Sequence, residues 1–338
     1  MCADNLLTAE AQRNAEIRRA NDGNMSIDLG KDLQLASRIT SGFLNEPLVE
    51  VTPLVGKGQV NKVFIVEAVN HKVVIRMSDR REAFDEYTKE AWCIEHAAAR
   101  GVPVPSVISV GQCEGNAYII QSYIAGDNGR DSPAPKLGTW RELGKYARLV
   151  HSIGVSGFGI RMSEITGGDA RKLWLRYLEY NIESLTENDP LIKLKVLTQP
   201  QSKLIRDVFS DLRGREFTFG LNHGDISLRN TIVDKRGTVH LIDWGEAEAG
   251  IVPHRDLIEM LRMNMLEGDP DDAQIRAFLD GYGISPAEFK RMMPDLERLL
   301  VLRAFDAVRW AIDRNVEELD RYVFHARLGA SYLLRAPV

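Results

Sequence analysis

Asp225, Asn230 and Asp243 are the residues of this 338-residue chain whose types and spacing are best suited to chemistry. They stand in "LNHGDISLRNTIVDKRGTVHLIDWGEAEAG", which runs from Leu221 to Gly250. All three offer oxygen atoms, and few cations lie near them in sequence. Such a set suits Mg²⁺, which takes oxygen ligands and completes its shell with substrate phosphates. The elements that must gather them can be read from the same stretch. "NTIV" and "TVHLIDW" read as strands flanking the loop "DKRG", with Gly237 available for a positive φ. Folding back on that loop brings Asn230 and Asp243 to one open end. Asp225 lies in the loop that enters the hairpin. Any one of the three is an ordinary turn former; the argument rests on all three in this order.

The spacing narrows the chemistry. His223, Gly224 and Asp225, followed by Asn230, have the offset H-x-D-x-x-x-x-N of a kinase catalytic loop, and Asp243-Trp244-Gly245 stands where D-F-G would. In that arrangement Asp225 orients a substrate hydroxyl and accepts its proton, while Asn230 and Asp243 hold Mg²⁺ on nucleotide phosphates. His223 reads as a brace for the loop. His96, His151 and His240 read as packing or surface residues, and no pair of them has metal-ligand spacing.

Upstream, "LVGKGQVNKVF" sets Gly56 and Gly58 between two strand-like runs, where backbone N–H groups can approach phosphate oxygens. No Walker-type G-K-[ST] follows. Arg76 ends the next strand, "KVVIR", at the place of a cation that grips the α- and β-phosphates. Arg presents a planar fork where Lys presents a point charge. Its carboxylate partner is expected at Glu90 of the following helix, with Glu86 one turn earlier as the alternative. "IIQSYIAG" offers the Ser122 carbonyl and the Ile124 N–H to a purine edge.

The surrounding chain supplies the frame. Residues 1–45 read as polar helix pieces. Val- and Ile-rich strands follow from Val49, then a helix over "REAFDEYTKEAWCIEHAAARG" that stops at Gly101. After about Gly126 helical periodicity dominates, interrupted by the Leu221–Gly250 β segment. A sheet-rich N-lobe, a thin joint near 121–127 and a helical C-lobe are expected, with a cleft at the joint. The net charge of −5 lacks the basic surplus of a nucleic-acid binder. Three cysteines without metal spacing, no apolar leader and no apolar run of membrane length suggest a soluble cytoplasmic protein.

With those residues in hand, the chain resembles the aminoglycoside phosphotransferase family, kin of choline kinases and distant kin of protein kinases. The resemblance rests on "HGDISLRN", "IDWGEA", "EYTKEAWCIEHAAARGVPVPSV" and "YIIQSYIAG", and covers about residues 48–325. "SGFG" and "VVIR" resemble the hygromycin kinase branch in particular. The resemblance implies an α+β, protein-kinase-like fold of two lobes: a five-stranded antiparallel sheet with one helix, and a helical lobe carrying the acceptor site. The expected domains are an N-terminal extension over 1–47, an N-lobe over 48–126 and a C-lobe over 127–338. It implies ATP or GTP with Mg²⁺, Asp225 as catalytic base, Asn230 and Asp243 as metal ligands, and Arg76 at the phosphate-gripping position. Arg76 and Trp244 depart from the commoner Lys and Phe or Leu.

The acceptor is expected to be a small molecule and cationic, of aminoglycoside type, because Glu246, Glu248, Asp256 and Glu259 follow the metal site as an acidic rim. Asp256 also opens a helix, where a carboxylate serves as an N-terminal charge. The alternatives are a metabolic kinase for choline, a sugar or an amino alcohol, and a non-catalytic nucleotide-binding scaffold. Trp174, Tyr177 and Tyr180 share one helix face that lines either the cleft or the core.

Overall fold

A computed structural model describes residues 29–54, 62–314 and 316–334. Gly56 and Gly58, and residues 1–28 of the segment read as polar helix pieces, lie outside the described residues. Internal packing divides the chain into two units, Met1–Tyr87 with Ser106–Tyr123, and Thr88–Pro105 with Ile124–Val338.

Alternation of side chains builds the first unit. In β2 (Lys62–Ala68) and β3 (Lys72–Ser78), Phe64 and Val66 stand opposite Ile75 and Val73 and share a buried face. With β1 (Leu48–Pro53), β4 (Val107–Cys113) and β5 (Asn116–Ser122) they form an antiparallel sheet of order β1-β2-β3-β5-β4. A helix over residues 29–44, α1, lays Leu35, Ala36 and Ile39 on that face beside Ile75, Met77 and Ile120. Burial of each of the larger side chains, Leu35 and Ile39, stabilises by roughly 1.5–3 kcal/mol. The part of 1–45 that is described is therefore not a polar helix. It has an apolar stripe at three- and four-residue spacing that the overall polarity of the segment hides.

In the second unit, polar caps start the helices. Asp169, Thr198, Asp271 and Ser285 each accept a backbone N–H at the first turn of α5 (Ala170–Ser184), α7 (Gln199–Ser210), α9 (Asp272–Tyr282) and α10 (Pro286–Asp313). α3 (Lys136–His151) meets α9 at Gly144, where a Cβ would lie 2.0 Å from the Phe278 carbonyl oxygen. Only glycine lets the two backbones approach so closely. α10 is joined to the rest by Arg309, whose guanidinium reaches Asp189 at 2.7 Å and Asn181 at 2.8 Å, all buried. α4 (Met162–Thr166), α6 (Pro190–Lys193), α8 (His254–Glu267) and α11 (Leu319–Leu333) complete the helices beside α2 (Ala83–Ala99), whose first turn belongs to the first unit.

The β interruption in this unit is two small sheets. β7 (Thr218–Asn222) pairs with β10 (Glu248–Val252), and β8 (Thr231–Asp234) lies between β6 (Gly126–Asn128) and β9 (Val239–Leu241). No helix among the described residues is long and apolar enough to cross a membrane.

Candidate active site

The hairpin forms as its turn chemistry demands. Thr231 pairs with Leu241 and Val233 with Val239, and Gly237 takes φ +81° in the turn. The Ile242 N–H donates to the Asn230 carbonyl at 3.0 Å, which extends the ladder by one step. Asp243 therefore leaves the hairpin one residue beyond the pairing partner of Asn230. It sits in the left-handed region, φ +63°, which Asp tolerates better than most residues. The Asn230 side-chain N–H₂ donates to the Asp225 carboxylate at 2.7 Å and to its carbonyl at 2.9 Å. Arg229 holds the other Asp225 carboxylate oxygen at 2.9 Å. The structure thus joins Asp225 directly to Asn230 and sets Asp243 beside that pair.

The loop that carries Asp225 is braced from below. Gly224 has φ +83°, and a Cβ there would lie 2.2 Å from the Glu246 carbonyl oxygen. Asp256, fully buried on α8, accepts from the Gly224 N–H at 2.7 Å and the His223 N–H at 3.2 Å. Its third partner is His151 Nε2 at 2.9 Å, and His151 Nδ1 meets the Tyr282 hydroxyl at 3.0 Å. Burial pushes the Asp256 carboxyl up, but the His151 hydrogen bond and the positive field of the basic groups around it, Arg255 among them, outweigh it and hold it at about 2. His223 accepts the Asp225 N–H at Nδ1, 3.3 Å, and donates from Nε2 to the Ile242 carbonyl at 3.1 Å. Both bonds require the neutral ring, and burial lowers its pKa accordingly. Two expectations change here. Asp256 is not part of an acidic rim, because its carboxylate faces the loop that carries Asp225. His151 is not a bland packing residue, because it orients that carboxylate.

One residue was missed in the sequence. Lys89, 3% exposed on α2, donates to the carbonyls of Gly245 at 2.5 Å, Ala247 at 3.0 Å and Trp244 at 3.5 Å. It caps the short 3₁₀ turn that follows Asp243. The signal was present: Lys89 and Glu90 precede Cys93 and Ile94 by one helical turn, so two charges occupy a buried stripe.

Each of the other sequence-derived residues is placed within its own unit. Arg76 lies in β3, opposite Val63 and Ile119, with its guanidinium 5.5 Å from the Tyr87 ring. Glu90 is buried on the second-unit part of α2. Glu86 is held by Arg80, at 3.1 Å to one carboxylate oxygen. Ser122 ends β5, where its N–H donates to Ser106 and its hydroxyl accepts the Ser106 N–H, both at 2.9 Å. Ile124 begins the second stretch of the second unit.

The second unit also contains a cavity of about 1180 Å³. Glu246, Glu248 and Glu259 line it, with Asp306 and the aromatic rings of Tyr177, Tyr180 and Trp310. The expected acidic rim is not bare, however. Arg255 and Arg303 hold Glu248, Arg303 at 2.9 Å, and Arg262 holds Glu259. Trp174 is turned away from the main cavity, packed against Phe158 and Phe217.

Comparison with known proteins follows the same lines. The sequence pattern described as the phosphotransferase enzyme family matches residues 51–299. The fold is similar to that of aminoglycoside phosphotransferase APH(2")-IIIa in complex with GDP and kanamycin: TM-score 0.62, 15% identity, 89% of this chain and 99% of that one. It is similar to a thermostable variant of aminoglycoside phosphotransferase APH(4)-Ia in ternary complex with AMP-PNP and hygromycin B: TM-score 0.61, 17% identity, 86% and 96% of the two chains. A protein described as a fructosamine-3-kinase, from Haemophilus somnus 129PT, gives TM-score 0.59 and 11% identity over 89% and 97%.

Proposed function

The chain belongs to the phosphotransferase enzyme family, matched over residues 51–299, and from that premise we propose that Asp225 is its catalytic base, serving transfer of a nucleoside triphosphate's γ-phosphate to a hydroxyl of a small molecule. The observation that carries the reading is the 2.7 Å hydrogen bond that fixes the Asp225 carboxylate against Asn230, one pairing step from Asp243. Asp225 takes the hydroxyl proton, and Arg229 and Asn230 set the direction of its lone pairs.

The donor set fits Mg²⁺. Asn230 turns its amide nitrogen to Asp225, which leaves its side-chain oxygen for a cation, and Asp243 adds a carboxylate. Among the described residues no group of three or more His, Cys, Asp or Glu side chains could hold a metal. A site with so few protein ligands suits an ion that keeps water and phosphate oxygens. Asn230 and Asp243 would hold it, and when bound it supplies positive charge against the phosphates. Under the same proposal Gly56, Gly58 and Arg76 attend the phosphates, Glu90 orients Arg76, and Ser122 and Ile124 meet the base. The division at residues 47 and 126 and a cytoplasmic setting belong to it as well.

Two acceptor classes have support. Hygromycin B and kanamycin in two structural relatives favour an aminoglycoside-type antibiotic. The balance of five arginines against five carboxylates around the cavity favours the uncharged member of the metabolic alternatives, a sugar. Asp225→Ala should slow ADP release by roughly 10²–10⁴-fold while the chain still binds nucleotide. Asp243→Ala should lose the Mg²⁺-dependent part of nucleotide affinity. Full turnover by the Asp225→Ala chain would refute the assignment and favour a non-catalytic scaffold.

A further inference from the structure

Glu246 joins the loop that carries Asp225 to the cavity, and its role rests on the reading of Asp225 as the base and of a sugar as the acceptor. A Cβ on Gly224, the residue before Asp225, would lie 3.1 Å from the Glu246 Cβ. The Asp225 charge acts on Glu246, and Glu246 also lines the cavity of about 1180 Å³. The Glu246 backbone is fixed. It belongs to the 3₁₀ turn Trp244–Glu246, where the Ala247 N–H donates to the Trp244 carbonyl at 3.1 Å and Lys89 caps the carbonyls of Gly245 and Ala247. A recognition group on so short and tied an element is held in one direction.

Five carboxylates line the cavity, and four of them have partners. Glu248 and Glu259 are held by arginines. Glu164 accepts the N–H groups of Ile160 and Arg161 at 3.1 and 3.0 Å, and Asp306 accepts the Tyr177 hydroxyl at 3.0 Å. Glu246 is the fifth: it is exposed, and its carboxylate makes no hydrogen bond or ion pair among the described residues. Desolvation by the surrounding walls raises its carboxyl, and the charges of Arg255 and Lys89 act against that rise. Both cations are engaged elsewhere, Lys89 with backbone carbonyls and Arg255 with Glu248. Compensating charge is therefore at hand, and what the carboxylate lacks is a hydrogen-bond donor. The wall as a whole is balanced, five arginines against five carboxylates. Burial, together with the Arg262 and Arg321 charges, lowers the His325 imidazole to about 4, so that ring is uncharged near neutral pH. In such a wall an open carboxylate selects by hydrogen bonding, because a ligand without the matching donor leaves it unsatisfied.

We propose that Glu246 is a specificity-determining residue: its carboxylate accepts a hydrogen bond from a second hydroxyl of the acceptor, near the one that receives the phosphate, so that the chain takes an uncharged polyol with two neighbouring hydroxyls. One hydroxyl goes to Asp225 and the other to Glu246. In the transfer the oxygen of the first bonds to the γ-phosphorus. The bond from that phosphorus to the bridging oxygen breaks, its electrons leave with the nucleoside diphosphate, and the hydroxyl proton passes to Asp225. The second hydroxyl keeps its proton and its hydrogen bond to Glu246 throughout.

The test is ADP release by the full chain with Mg²⁺ and ATP on neutral pentoses and hexoses, on their singly deoxygenated forms, and on kanamycin and hygromycin B. A neutral sugar should give the highest kcat/KM. One of its deoxy forms should lose transfer altogether, which marks the phosphorylated hydroxyl, and a second should lose about 10–100-fold in kcat/KM. Glu246→Ala should impose a loss of that same size on the parent sugar and little more on the second deoxy form, because both changes remove one hydrogen bond. Glu246→Gln keeps an acceptor oxygen and should fall between. The deoxy sugars are read on the unaltered chain, so they decide even where Glu246→Ala does not fold. Equal turnover of all the other deoxy forms, losses that multiply, or a preference for the two polycations overturns this inference and leaves Asp225 as the base. ADP release that no acceptor raises above the Asp225→Ala level removes both.

Discussion

Asp225 shows how much of a site is written in residue types and how much in contacts. Its identity and its offset from Asn230 could be read along the chain. The partner that fixes its second oxygen, Arg229, could not, because an i+4 pair in a loop has no helical rule behind it. Gly224 is the residue on which this geometry turns most sharply. Its left-handed φ and the 2.2 Å approach to the Glu246 carbonyl exclude any side chain. Gly224→Ala is expected to cost about 1–3 kcal/mol in backbone strain and to displace Asp225. The check is a urea midpoint beside a kcat: activity should fall by far more than stability, and a fully active Gly224→Ala chain would contradict the role given to this turn.

At the scale of elements, the loop that carries Asp225 is held by neighbours remote in sequence. α8 supplies Asp256 below it, and α2 supplies Lys89 to the turn after Asp243. Lys89→Met keeps the length of the side chain and removes the ammonium, leaving three carbonyls without that donor. A buried group left unsatisfied costs about 1–3 kcal/mol. The 3₁₀ turn should loosen, so that KM for Mg·ATP rises several-fold while the secondary structure seen by circular dichroism persists; an unchanged KM would mean that the turn holds itself. The helices and the hairpin between Asn230 and Asp243 could be placed from periodicity and turn residues. β6, β7 and β10 could not: they are three- and five-residue strands, too short for alternation to separate them from loops. The α1 stripe was hidden by charged residues on its other faces.

Across the molecule, acid should destabilise the fold in two windows. The folded pKa of His325 is about 4 against an ordinary 6.5, so the unfolded chain takes up the proton first. Stability is full above about pH 6.5 and falls as pH drops toward about 4. Buried His223 and half-buried His254, both lowered by desolvation, act in the same direction. Asp256 runs from an ordinary 3.8 to about 2, with His151, His223, Arg255 and Tyr282 around it. Its contribution, about 2 kcal/mol, is present above about pH 4 and lost as pH falls toward about 2. Urea midpoints measured from pH 8 to pH 3 should show the first decline, and His325→Gln should flatten it; an equal slope in that variant would exclude His325 as a source.

The sequence alone determined the β-then-α order of the chain, the hairpin and the three residues at its open end, because turn chemistry and periodicity act between near neighbours. Only the tertiary structure decided which carboxylates remain open to a ligand. Asp256 is consumed by the loop it braces, and Glu248 and Glu259 by arginines, two of them on the same helix and one, Arg303, far along the chain. Charge on a side chain is a property of one residue, but whether that charge is still available to a substrate depends on what the fold packs against it.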